Sequence, residues 1–191
     1  MSTAIKSMND LYVESLRDLY SAETQITKAL PKMAKAAKSE ELKNGFTEHL
    51  AQTKGQIDRL KTIFEGLGEK PTGHHCQAME GLLEEGAEMI EAVKEPEVLD
   101  AGLIGAAQKV EHYEMAGYGT ARNFARLLGY EDHAELLQET LDEEGETDQK
   151  LTDLADGMIN QAAANVNGEK PKSKSGSSAS KAKATTGSVS K

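Results

Sequence analysis

A chain of 191 residues with a formal net charge of −10 at pH 7 has room for one ordinary domain and a tail, and that acidity opposes a folded body that grips nucleic acid through its own surface. No apolar run approaches the roughly 20 residues that a membrane span needs, and Met1 to Lys6 lacks the apolar core of a secretory signal, so a cytoplasmic protein is expected. The single Cys76 excludes an intrachain disulfide framework.

With four Pro and 17 Gly, most of them outside the periodic segments, the sequence leaves long uninterrupted runs rich in Ala, Leu, Glu and Lys, and the class is all-α. A first helix is predicted from Ser7 to about Lys38, with Tyr12, Leu16, Leu19, Tyr20, Ile26, Leu30 and Met33 on one side and Pro31 as a possible kink. Glu23 falls inside this stripe, about 20° from Leu16 on a helical wheel. An acid stands where a leucine would be expected.

The second long helix runs from about Ser39 to Gly66 along Leu42, Phe46, Leu50, Thr53, Ile57, Leu60, Phe64 and Leu67. His49, Thr53 and Gln56 lie on or beside its apolar side, whereas Glu48 and Gln52 fall on the solvent face. Gly66-Leu67-Gly68 resembles a C-cap, and Pro71-Thr72-Gly73 reads as a turn. A shorter helix, roughly Cys76 to Val93, bridges to the next long one. Such a crossover leaves the helices on either side of it parallel, one of the known four-helix topologies. His74, His75 and Cys76 are adjacent but have no second group at zinc-finger spacing, so a polar loop is the preferred reading.

The third long helix, Pro96 to Leu128, contains Val110-Glu111-His112-Tyr113-Glu114. Glu114 lies near the centre of an apolar arc drawn by Leu99, Leu103, Ala107, Val110, Ala121 and Leu128, with Glu111 and Tyr118 towards one edge. The fourth helix, Asp132 to Gln161, turns Leu137, Thr140, Leu141, Leu151, Leu154, Ala155 and Met158 inward, and Glu144 and Asp148 stand one turn apart in that stripe. Glu143 is marginal and Glu146 points away. The last 24 residues, Gly168 to Lys191, hold six Lys and one Glu and almost no apolar side chain, which leaves −15 on residues 1–167. A tail of this composition cannot bury enough apolar surface to offset ordering, so it is expected to be disordered. It acts either as a solubilising segment or as an arm for nucleic acid or an acidic partner.

Buried carboxylates are protonated, ion-paired or bound to metal. Oxygen-rich ligands from four facing helices suit iron or manganese, and two metals sharing bridging carboxylates neutralise several acids together. The general di-metal plan asks for a Glu from each of two helices and a Glu-x-x-His from each of the others. Here Glu23 and either Glu111 or Glu114 supply the single acids, Glu144 and Asp148 face them, and Thr53-x-x-Gln56 and His49 stand on the second helix. The alternative is a buried hydrogen-bonded network without metal.

The segments Leu19-Tyr20-Ser21-Ala22-Glu23, Ala29-Leu30-Pro31-Lys32-Met33, His49-Leu50-x-x-Thr53, Cys76-x-Ala78-Met79-x-Gly81-Leu82, Val110-Glu111-His112-Tyr113-Glu114 and Leu141-x-Glu143-Glu144-x-x-x-Asp148 resemble the bacterial YciE/YciF stress-protein family over about Ile5 to Ala163. The resemblance implies a ferritin-like four-helix bundle with a crossover helix, usually dimeric, associated with stress and carrying an inferred di-metal site. The expected ligands are Glu23, Glu114, Glu144 and Asp148, with Glu111, His49 and Gln56 completing the shell. Gln56 stands where a His would be the better ligand. Tyr20 and Tyr118 are neighbours of the proposed ligands. The function expected is handling of iron, peroxide or oxygen by a homodimer. The alternatives are a non-catalytic stress protein that works through a partner, and nucleic-acid contact through the tail.

Overall fold

A computed structural model describes residues 4–72 and 74–166; the Lys-rich tail lies outside the described residues. Its elements are α1 (Met8–Ala36), α2 (Glu40–Leu67), α3 (Gln77–Ala92), α4 (Pro96–Leu127), α5 (Glu131–Leu154), a π-helical turn (Ala155–Ile159) and α6 (Asn160–Asn165). α1 pairs with α2 and α4 with α5, as two helical hairpins, and α1 against α4 and α2 against α5 close the square. α3 lies across α4 and α1 as the crossover.

Local chemistry sets the helix ends. Ser7 and Ser39 cap α1 and α2 by accepting the backbone N–H of Asp10 and Leu42. Gly68 and Gly129 adopt positive φ, 66° and 79°, where an L side chain would be strained. Each allows the next residue to donate back into the helix, Glu69 to Phe64 and Tyr130 to Ala125. Between α1 and α2 the chain turns within three residues because buried Asp100 of α4 accepts the N–H groups of Lys38 and Ser39 at 2.7 and 2.8 Å. α1 passes through Pro31, whose ring is on the exposed side.

The core is in two pieces. One apolar cluster joins Tyr12, Val13, Leu16, Leu19, Leu60, Ile63, Phe64, Tyr118, Ala121, Ala134 and Leu137. The other joins Ile26, Leu30, Met33, Leu42, Phe46, Leu103, Ala107, Val110, Leu151 and Ile159. Along every long helix the break between the two falls where polar residues are buried: Glu23 on α1; His49, Thr53 and Gln56 on α2; Glu111 and Glu114 on α4; Thr140, Glu144 and Thr147 on α5. Four helices interrupt their apolar stripe at one level, and the hairpin register stacks the interruptions into a polar layer across the middle of the bundle. At that level α1 and α4 approach closely: a Cβ on Gly117 would sit 2.8 Å from Leu19 Cδ2.

Three wheel positions differ from expectation. Met158 is 56 % exposed and Ile159 takes the inward place, because the π turn inserts an extra residue per turn and rotates the end of the helix. On α2 the inward line runs through His49, Gln56 and Ile63 rather than Leu50 and Ile57, both only half-buried.

Candidate metal centre

Each member of the polar layer is anchored by a helix that is apolar on either side of it, so the side chains have little freedom to turn outward. Glu23, Glu114 and Glu144 have no exposed surface, and Glu111 and His49 have almost none. His49, Glu111, Glu114 and Glu144 bring one donor atom each to within 4.8 Å of one another. His49 Nε2 lies 3.3 Å from Glu111 Oε1 and 4.0 Å from Glu144 Oε2, without the alignment of a hydrogen bond. Glu23 lies beside the group from α1: its Oε1 accepts a hydrogen bond from the Tyr118 hydroxyl, and its charge acts on Glu114.

The electrostatics follow from burial. Desolvation, reinforced by the neighbouring carboxyls, holds Glu23, Glu114 and Glu144 well above the ordinary carboxylate range. Burial also pushes Glu111 up to about 8 and His49 down to about 4. The His49 and Glu111 pair is therefore neutral near pH 7 rather than an ion pair. Burial likewise pushes the Tyr118 hydroxyl up, so it remains a donor to Glu23.

Among the described residues, ten buried side-chain nitrogen or oxygen atoms lack a hydrogen-bond partner, and nine belong to Glu23, His49, Gln56, Glu111, Glu114 and Glu144. Native proteins leave few such atoms unpaired. Both oxygens of Glu114, both of Glu144 and both ring nitrogens of His49 are in this condition. The converging donors are three carboxylates and one imidazole, with the Glu23 carboxyl beside them. Hard oxygen ligands with an imidazole suit iron or manganese. The residues present fit the binding of a metal ion.

A hydrogen-bonded group supports the layer on the α2/α5 side. Gln56 Nε2 donates to Glu143 Oε2 at 3.0 Å, which turns its unpartnered Oε1 to be the atom available as a ligand. Arg59 clamps Glu143 through both terminal nitrogens and also donates to Thr140 Oγ1 at 3.1 Å. Burial would raise the Glu143 carboxyl, but Arg59 and then Gln56 outweigh it, and Glu143 stays ionised. The marginal wheel position of Glu143 concealed this contact; Arg59, one turn beyond Gln56 on the same helix, was the available signal.

Asp148 does not join the centre. Its carboxylate accepts from Gln108 Nε2 at 3.1 Å and faces exposed His112 at 3.4 Å, because the inward line of α5 passes through Glu144, Thr147 and Leu151 and leaves position 148 on the α4 flank. Tyr20 packs edge-on against Phe64, whereas Tyr118 touches the centre. The three adjacent residues 74–76 go to different places: His74 bridges Glu14 and Asp18 at 2.8 and 2.9 Å, His75 faces Glu80, and Cys76 Sγ meets the Tyr113 hydroxyl.

A closed square of four long helices with a crossover helix and a polar layer of carboxylates and histidine at mid-height defines a ferritin-like bundle. Residues 7–164 match the family described as a domain of unknown function, DUF892. The chain is 49 % identical over 162 residues to protein YciF of Escherichia coli K12, covering 84 % of this chain and 98 % of that protein. It belongs to this family, that of the YciF stress proteins. The crystal structure of the E. coli stress protein YciF superposes with a TM-score of 0.79 over 82 % of this chain and 99 % of that one. The YcfI protein of Rhodopseudomonas palustris, 45 % identical, gives 0.77 over 80 % of this chain and 97 % of that one. A two-domain protein of Anabaena variabilis with a ferritin-like domain shares the fold at 17 % identity, with a TM-score of 0.54 over 91 % of this chain and 42 % of that one. No described helix is long and apolar enough to cross a membrane.

Proposed function

We propose that this stress protein carries a dinuclear iron or manganese centre. Glu23, Glu111, Glu114, Glu144 and His49 are its ligands, Gln56 Oε1 is an additional oxygen donor, and Asp148 takes no part. The observation that carries the reading is the concentration of unpartnered buried donor atoms in one layer of an otherwise apolar bundle. Such a centre supplies one-electron chemistry towards iron, dioxygen or peroxide when its metals are bound. The chain's own contribution is to hold the ligands: Tyr118 orients Glu23, Arg59 and Glu143 fix the amide of Gln56, and burial keeps His49 deprotonated and ready to ligate. In the metal-free state the carboxyls retain protons, so cation binding releases them. We take the working form to be a cytoplasmic homodimer, supported by a lone buried thiol and by the commonness of twofold homo-oligomers.

The test is metal content and thermal stability under anaerobic conditions. Ferrous iron or Mn(II) at 100 times its Kd raises stability by about 2.7 kcal/mol. Glu144→Leu and Glu23→Leu abolish that gain, while Glu48→Gln, on the solvent side of α2, retains it. Equal melting with and without each metal, together with identical behaviour of the Glu23 and Glu48 variants, rejects the centre and leaves partner binding as the function.

A further inference from the structure

The crossover helix α3 is lightly embedded: of its residues only Met79 and Gly86 are buried. It leans on α4, where a Cβ on Gly86 would lie 3.7 Å from Ala106 Cβ, and it stands further off α1. A groove of about 240 Å³ opens between the three helices. Its walls are aliphatic, with Ala29 and Met33 from α1, Leu82, Leu83 and Ile90 from α3, and Val110 from α4. The three α3 side chains are left only half-buried there. The lining runs along residues 25–33 of α1 and 82–90 of α3, about 12 Å at 1.5 Å per residue. No residue of the polar layer lines it.

The two rims carry opposite charge. Lys28 and Lys32, one turn apart on α1, line the groove and are exposed. Among the described residues neither forms an ion pair, whereas Lys38, Lys43, Lys61 and Lys109 each face a carboxylate. These are two free ammonium groups on a segment, residues 1–167, that carries −15. On the other rim, exposed Glu84 and Glu91 share a face of α3 with groove-lining Ala87. An aliphatic slot matches an alkyl chain, two free ammonium groups match an anion, and the acids of α3 leave the α1 rim as the place for it. A polar metabolite would lose hydrogen bonds that these walls do not replace. An anionic bilayer would be repelled by Glu84, Glu88 and Glu91 on the exposed side of α3.

We propose that this groove binds a free single-chain anionic amphiphile, a fatty-acid-like carboxylate, with its chain between α1 and α3 and its head on Lys28 and Lys32. A chain of about ten carbons fits, because carbon–carbon bonds of about 1.5 Å in an extended zigzag cover roughly the length of the groove.

The experiment titrates the full-length protein with decanoate, below its micelle-forming concentration, by calorimetry and 13C methyl spectroscopy. Saturable binding of one molecule per chain is expected, with shifts at the Leu82, Leu83, Ile90 and Val110 methyls and none at Ile63 and Leu137 of the other apolar cluster. Octanoate binds roughly 15-fold more weakly, at about fourfold per methylene. Lys28→Gln combined with Lys32→Gln weakens decanoate binding at least tenfold, and neither lysine has an ion-pair partner whose loss would disturb the fold. Ala29→Phe, independently, fills the slot and abolishes the shifts. Decyltrimethylammonium, with the same chain and the opposite head, does not produce them, and vesicles of anionic phospholipid do not sediment the protein. Decanoate shifts spread equally over both clusters, unchanged affinity in the folded double-lysine variant, equal binding of the cationic amphiphile, or co-sedimentation with the vesicles overturns the proposal. So do groove methyls that respond to protein concentration and not to decanoate, which assign the groove to a second copy of the chain.

Discussion

The metal-free protein should lose stability as the pH rises through neutrality, and Glu111→Gln should remove a defined part of that loss. Glu111 titrates at about 8 in the folded chain against an ordinary 4.5, so between those values the folded state holds a proton that the unfolded state has released. Stability then falls with pH by about 1.4 kcal/mol per unit for this one group. His49 works in the opposite sense: its folded pKa of about 4 against 6.5 makes the unfolded state the better proton binder, so stability rises with pH up to 6.5. The two slopes cancel between about pH 4.5 and 6.5, and above that Glu111 acts unopposed. From pH 6.5 to 8 the loss attributable to Glu111 is about 2 kcal/mol, or roughly 4–8 °C in melting temperature for a chain of this size. Glu23, Glu114 and Glu144 are shifted in the same direction and add to it. The assay is urea unfolding of chelator-treated protein at half-unit pH steps, with wild type and Glu111→Gln in parallel. The variant should show a drop about 2 kcal/mol smaller over that window. A stability that is flat from pH 6.5 to 8, or equal slopes for the two proteins, refutes the claim that the layer holds protons.

Asp100→Ala removes a buried acceptor shared by the N–H groups of Lys38 and Ser39 and should destabilise the bundle by about 2–4 kcal/mol, measured by urea unfolding with the metal-dependent gain preserved. Gly117→Ala forces a methyl group to 2.8 Å from Leu19 Cδ2 and should cost roughly 1–3 kcal/mol, whereas Gly45→Ala meets open space and should stabilise α2 by up to about 1 kcal/mol; thermal melts of both decide. Tyr118→Phe leaves Glu23 without its donor and should weaken metal affinity by roughly 10–100-fold in competition titrations, as expected when a ligand loses its outer-shell partner. Light scattering at micromolar concentration should give a dimer mass; a monomer or a large cage contradicts that expectation.

Class, topology and most of the buried polar layer were legible in the linear chain because helical periodicity converts position into direction. Glu23, Glu114 and Glu144 could be picked out as acids on apolar stripes, and Glu48 dismissed, from the 100° step alone. That rule loses accuracy with length and fails at a change of pitch. A small phase drift over α2 made Leu50 and Ile57 look more central than His49 and Gln56, and the π turn at Ala155–Ile159 moved Met158 to the surface. Position 148 shows the other limit. A wheel assigns a side of a helix but not which neighbour lies there, and only the packing of α4 against α5 gave Asp148 to Gln108 rather than to the polar layer. The clamp of Arg59 on Glu143 and the Tyr118 bond to Glu23 likewise join residues remote in the chain. Sequence determined which groups are buried, because burial is a property of one helix and its stripe; the tertiary structure decided which of them meet, because meeting depends on the relative heights and rotations of four helices that no single periodicity encodes.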